Sequence, residues 1–232
     1  EEHGFERINK KTFIEGPWLT KFNDIYYLQY AAPATESNLY ADGVYVSKKP
    51  LGPFEYAESN PFSFKPGGFM PGAGHGSTFK DMNNNFWHAS TMRISNTQKF
   101  ERRIGLFSSG IDSDGELFCN QRYADWPQKI ENKLNDPWEE PKWMLLSYGR
   151  KARASSYNEE HKPDKSVDEN CQTWWKATSN HEQWLEIDLE EIRKVAVIQV
   201  NFADDKIDAV IPENSRVDTS FGYPRYIEER KF

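Results

Sequence analysis

The chain has 232 residues, 37% hydrophobic and 15% aromatic, with a net charge of −7 and a pI near 5.4. That length fits one large domain or two smaller ones. The acidic balance disfavours a polyanion partner such as nucleic acid, and no apolar run nears the roughly 20 residues of a membrane helix.

Apolar mass carried by Phe, Tyr and Trp, with frequent Gly, Pro and Asn turns, predicts an all-β protein. Residues 1–13 are charged, lack clear periodicity and read as a connector. Nothing at the N-terminus has the basic stem and apolar core of a signal peptide. Ile14-Glu15-Gly16-Pro17-Trp18 then leads through Lys21 to Asp24 into an aromatic strand, Ile25 to Tyr30. Later strands of this unit are Gly43 to Ser47 and Phe54 to Tyr56, separated by a Pro- and Gly-bearing turn suited to tight reversal.

A second unit follows the same plan. Gly72-Ala73-Gly74-His75-Gly76-Ser77-Thr78-Phe79 is followed by Lys80 to Asn85 and the strand Phe86 to Ser90. Arg102 to Phe107 and Gly115 to Phe118 complete it, joined through Asp112-Ser113-Asp114-Gly115. Four short strands repeated at a spacing near sixty residues predict β-propeller blades. Glu15 and His75 stand at matched positions, at the start of each innermost strand, and converge on the propeller centre.

From about Asp125 to Pro141, prolines mark an irregular connection. A second domain is expected from Lys142, read as an antiparallel sandwich. Its strands include the alternating runs Gln183 to Leu189 and Val195 to Val200. Cys119 and Cys171 fall in different predicted domains and read as unpaired thiols.

Residues 14 to about 128 resemble the C-terminal part of a family 43 glycoside hydrolase, a five-bladed β-propeller. The resemblance rests on Glu15-Gly16-Pro17 with Tyr26-Tyr27-Leu28, on Ser47 to Phe54, on Gly74-His75-Gly76-Ser77 and on Arg102 to Phe107. Residues from Lys142 resemble a truncated discoidin, or F5/8 type C, jelly roll, a fold often used to bind carbohydrate. Its marks are Ala154-Ser155-Ser156, the series Asp168, Asn170, Thr173 and Trp175, and Gln183 to Leu189. The expected organisation is therefore propeller blades over 1–128, a linker over 129–141 and an incomplete jelly roll over 142–232.

The resemblance implies that Glu15 is the general acid of an inverting glycosidase acting on arabinofuranosyl, xylosyl or related polysaccharide residues. Such chemistry needs a carboxyl that is protonated at the leaving oxygen, a state that partial burial favours. It also needs a second carboxylate roughly 6.5–9.5 Å away that activates water. The alternative is a surface glutamate at a strand entry. By the same resemblance His75 organises water or a central cation, against the plainer reading of a polar turn residue, and Arg102 reaches the sugar or the acid while Arg103 faces away. His88 reads as core. Asp168, Asn170 and Thr173 form either a calcium turn or an Asx-type turn capped by its own side chains.

The family's general-base aspartate precedes the Glu-Gly-Pro stretch. The fourteen residues before Glu15 contain no aspartate, so the base is expected outside this chain, which reads as a piece of a longer enzyme. No cofactor is required. The expected partner is an oligo- or polysaccharide, and the resemblance implies a periplasmic or extracellular site of action. The competing class is a non-catalytic carbohydrate-binding or adhesion protein that uses the jelly roll.

Overall fold

A computed structural model describes residues 4–8, 11–93, 102–126, 133–134, 136–203, 205, 216–218 and 225–227. The chain is all-β, as its composition predicts. A 3-10 turn at Gly4–Glu6 precedes a small ladder of β1 (Arg7–Ile8) and β2 (Lys11–Thr12). The first unit is a meander of β3 (Glu15–Phe22), β4 (Ile25–Ala32), β5 (Ala41–Ser47) and β6 (Glu55–Tyr56). Strand β7 (Ser63–Phe64) pairs with the start of β5. The second unit runs β8 (Gly72–Lys80), β9 (Phe86–Met92), β10 (Arg103–Ile111) and β11 (Leu117–Asn120), each antiparallel to the next. Both predicted repeats are therefore present, with β10 and β11 extending beyond the predicted strand ends.

Local chemistry accounts for the reversals. Asn23 and Asp24 both take positive φ, 45° and 62°, the requirement of the tight two-residue hairpin between β3 and β4. At the β8–β9 turn, the Asp81 carboxylate accepts from the amides of Asn83 and Asn85, from Asn85 Nδ2 and from Trp87 Nε1. The Trp87 bond leads in holding this carboxyl down to about 2 from its ordinary 3.8, with Asn85 and Asn83 assisting. A carboxyl with a depressed folded pKa stabilises the fold above its unfolded value of 3.8 and loses that contribution as pH falls towards 2. Asp81→Asn is therefore expected to flatten the acid limb of stability, read as urea midpoints measured from pH 5 to pH 2. A limb unchanged in the variant would remove Asp81 from the account.

The two sheets share one core, in which Tyr27 and Val44 of the first meet Ala73, Met92, Phe107 and Leu117 of the second. The innermost strands lie alongside one another, β8 packing against β3, β4 and β5. Trp18 Nε1 donates to Thr78 O at 3.0 Å across this seam.

The described part of the predicted linker is tied to the second unit's edge. Pro137 O accepts from Ser108 Oγ and Asn120 Nδ2, and Trp138 stacks on Phe118 at 4.2 Å. These contacts pack the connection against side chains of β10 and β11. Residues 129–132 and 135 of that linker lie outside the described residues.

Beyond residue 142 the structure departs from expectation. The described residues hold a two-stranded sheet of β12 (Lys151–Ala154) and β13 (Leu185–Asp188), with a 3-10 turn at Pro163–Ser166. A further pair, β14 (Arg216–Asp218) and β15 (Arg225–Ile227), lies near the end. Leu185–Asp188 satisfies the predicted strand, but Val195 to Val200 is exposed and unstructured. Its alternation meets the periodicity of a strand without a partner ladder to receive its backbone hydrogen bonds. A jelly roll needs two sheets facing across a core, and the discoidin-like sandwich is not formed among the described residues. Cys119 and Cys171 are free thiols, as predicted.

Candidate active site

Both matched stretches fold as β-bulges. The ladder between β3 and β4 shifts register between Glu15 and Trp18, and that between β8 and β9 shifts on either side of Gly74. A bulge re-aims a side chain at the end of a strand, and here two bulges in adjacent units bring Glu15 and His75 together. Gly16 has φ 63° and His75 φ 55°. The Gly16 position admits no Cβ, which would lie 2.6 Å from the His75 ring. His75 Nδ1 stands 3.7 Å from Glu15 Oε2, the two side chains being 46% and 31% exposed.

Tyr40, immediately before β5, is 1% exposed and donates from its hydroxyl to Glu15 Oε1 at 2.7 Å. Burial raises the Tyr40 phenol far above its ordinary range, and the Glu15 contact adds to this, so it remains a donor. Its ring fills the space above Gly74, where a Cβ would lie 2.7 Å away. Glu15 is thus held through one oxygen, while Oε2 faces His75 and solvent.

Beneath His75 lies a carboxylate that the sequence reading missed. Asp42 is 1% exposed. Its Oδ1 accepts from the His75 amide at 2.7 Å and its Oδ2 from the Gly76 amide at 2.8 Å. His88 Nε2 lies 3.0 Å from Oδ2, and His88 Nδ1 lies 3.0 Å from Thr78 Oγ1, which donates to Gln29 Oε1 at 2.8 Å. His88 is fully buried, as its core reading expected. The signal for Asp42 was legible: an aspartate inside the run Tyr40 to Val44 is out of place on a strand unless it has a task.

The remaining predicted residues do not join this cluster. Arg102 precedes β10 and reaches Thr35 Oγ1 at 3.5 Å, and its charge partly offsets the upward shift at Tyr40. The exposed Arg103 opens β10. In the Asp168 turn, Oδ1 accepts from the Asn170 amide and Oδ2 from Thr173 Oγ1 at 2.6 Å. Lys165 Nζ lies 3.7 Å from that same Oδ2. The oxygens meant for calcium are occupied by the turn itself and face an ammonium, so the residues do not fit a cation. Among the described residues no group of three or more His, Cys, Asp or Glu is placed to hold a metal ion.

The segment that carries both bulges has known counterparts. Residues 2–116 match the model of glycosyl hydrolases family 43. Solved structures similar to the chain include an endo-1,4-beta-xylanase from Bacteroides thetaiotaomicron VPI-5482, at 26% identity over 51% of this chain and 41% of that one, TM-score 0.46. A thermostable family-43 glycoside hydrolase matches at 24% identity, 51% and 39% coverage and TM-score 0.44. A xylan beta-1,4-xylosidase from Bacillus halodurans C-125 matches at 22% identity, 58% and 27% coverage and TM-score 0.42. The chain thus spans 41% and 39% of the lengths of the first two. No curated protein matches it. The family 43 match ends within the second unit and takes in Glu15, Tyr40, Asp42, His75, His88 and Arg102.

Proposed function

We propose that this chain supplies the acid side of a glycoside hydrolase site that cleaves arabinofuranosyl, xylosyl or related residues from polysaccharides by inversion. The observation that carries the reading is the Glu15 carboxyl itself. It is half-buried at the bulged start of β3, held by Tyr40 through Oε1, and leaves Oε2 beside His75. The family 43 match over residues 2–116 supports the hydrolase class.

In this reading Glu15 Oε2 gives its proton to the glycosidic oxygen as the bond to the leaving group breaks. A second carboxylate on the opposite face of the sugar, roughly 6.5–9.5 Å away, activates the attacking water. Asp42 does not take that part, because both its oxygens are engaged by buried donors. His75 orders water or a substrate hydroxyl next to the acid, and Arg102 offers a fixed charge from the neighbouring loop. A polysaccharide substrate sets the site of action in the periplasm or outside the cell.

The test is hydrolysis of α-L-arabinofuranosides, β-D-xylosides and β-D-galactosides with unactivated alkyl or sugar leaving groups by the 232-residue chain and by Glu15→Gln. Turnover that the substitution removes supports the assignment, and turnover that survives it overturns the assignment. Silence from both, in folded material, assigns the second carboxylate to protein beyond these residues.

A further inference from the structure

We propose that Asp42 is the positioning residue of this site, holding His75 against Glu15 through the backbone while itself anchored by the buried chain His88, Thr78 and Gln29. Its catalytic consequence rests on the proposed reading of Glu15, but the positioning geometry does not.

The argument starts from His75. A residue with a Cβ disfavours the left-handed region, yet His75 stands there at φ 55° with its ring half exposed. Such a conformation persists only where the surroundings over-determine it. Here the determinant is one carboxylate, whose two oxygens take the consecutive amides of His75 and Gly76 at 2.7 and 2.8 Å. Hydrogen bonds to an ionised acceptor are the strong ones, and two on successive amides fix the peptide plane between them.

Asp42 needs support in turn, because a buried charge is tolerated only when donors meet it. His88 supplies the third. A carboxylate oxygen only accepts, so His88 Nε2 carries a hydrogen towards Oδ2. The other ring nitrogen lies 3.0 Å from Thr78 Oγ1, and Thr78 is bonded to Gln29, while the imidazole and the Phe62 ring meet edge to face with centroids 5.1 Å apart. The chain crosses both units, with Gln29 on β4, Asp42 on β5, and Thr78 and His88 on β8 and β9. None of these side chains touches Glu15 in the hydrogen-bond network. Their action on it passes through the backbone of His75.

Amide exchange and imidazole NMR of the 232-residue chain test this without reference to turnover. The His75 and Gly76 amides are expected to exchange about 10²- to 10³-fold slower than free peptide, although the bulge interrupts the ladder there and the His75 side chain is exposed. Asp42→Asn, which turns a donor towards donors, is expected to speed both by about 10- to 100-fold while the amides of β4 and β9 hold. Glu15→Gln is expected to shift the His75 imidazole nitrogen signals in the native background and not in the Asp42→Asn background, with His161 as the reference. Unprotected His75 and Gly76 amides in the native chain would overturn the proposal, as would a Glu15→Gln shift that persists at full size without Asp42. Should Asp42→Asn fail to fold, the native exchange rates decide. Failure of the glycosidase reading shows in turnover alone and leaves these signals untouched.

Discussion

Glu15→Gln is expected to lower kcat by about 10²- to 10⁴-fold on glycosides with poor leaving groups, the range for a positioned general acid. The loss is much smaller on activated aryl glycosides, whose leaving oxygen departs without a proton. Glutamine keeps the carboxyl shape, and its oxygen still accepts from the Tyr40 hydroxyl now bonded at 2.7 Å, so the variant removes the transferable proton with little else. The measurement is kcat and KM, for protein that carries the second carboxylate together with Glu15 and for its Glu15→Gln variant, across a series of leaving groups on one sugar. A loss that steepens as the leaving group worsens identifies protonation. A uniform loss across the series would make Glu15 a binding group and overturn its role as acid.

The second large effect is on stability. A Cβ at Gly76 would stand 2.3 Å from His88 Nε2 and 2.7 Å from Asp42 Oδ2. Neither neighbour can give way, since His88 and Asp42 are buried and bonded to each other. Gly76→Ala is therefore expected to cost about 3 kcal/mol, at the upper end of overpacking penalties. Gly67→Ala is the control, because nothing lies within 4 Å of its added Cβ, and it should stay within about 0.5 kcal/mol of the native chain. Urea midpoints of the two variants, read against the native chain, decide the matter. Equal midpoints would mean that the Asp42–His88 pair yields more readily than its burial implies.

Much of this was legible in the sequence, and the reasons differ by residue. The approach of Glu15 and His75 was readable because a repeat exposes matched positions, and each copy carries its polar residue beside glycine at a strand entry. The hairpin at Asn23–Asp24 uses two residue types that tolerate positive φ, a local property the sequence carries openly. Asp42 was passed over although an aspartate inside a strand run is out of place, because its partners are amides and a ring from the other unit, and the local pattern does not say what they are. Val195 to Val200 misled in the opposite sense, since alternation states which face is apolar and says nothing about whether a partner strand arrives. The Asp168 turn offered calcium-like oxygens whose own turn donors claimed them first.

Tyr40 and Asp42 are two residues apart in extended chain at the head of β5, and residues so spaced share a face. Tyr40 fixes the tip of Glu15, and Asp42 fixes the loop of His75. One short length of backbone therefore serves as the ruler for both halves of the site, although those halves are grown from different sheets. The gap between Glu15 and His75 is calibrated against a third strand, so the two loops cannot drift independently. A slip of β5 by one residue would turn both fixtures to the opposite side at once. Substitutions in the surrounding loops can accumulate without detuning the pair, provided that the head of β5 stays where it is.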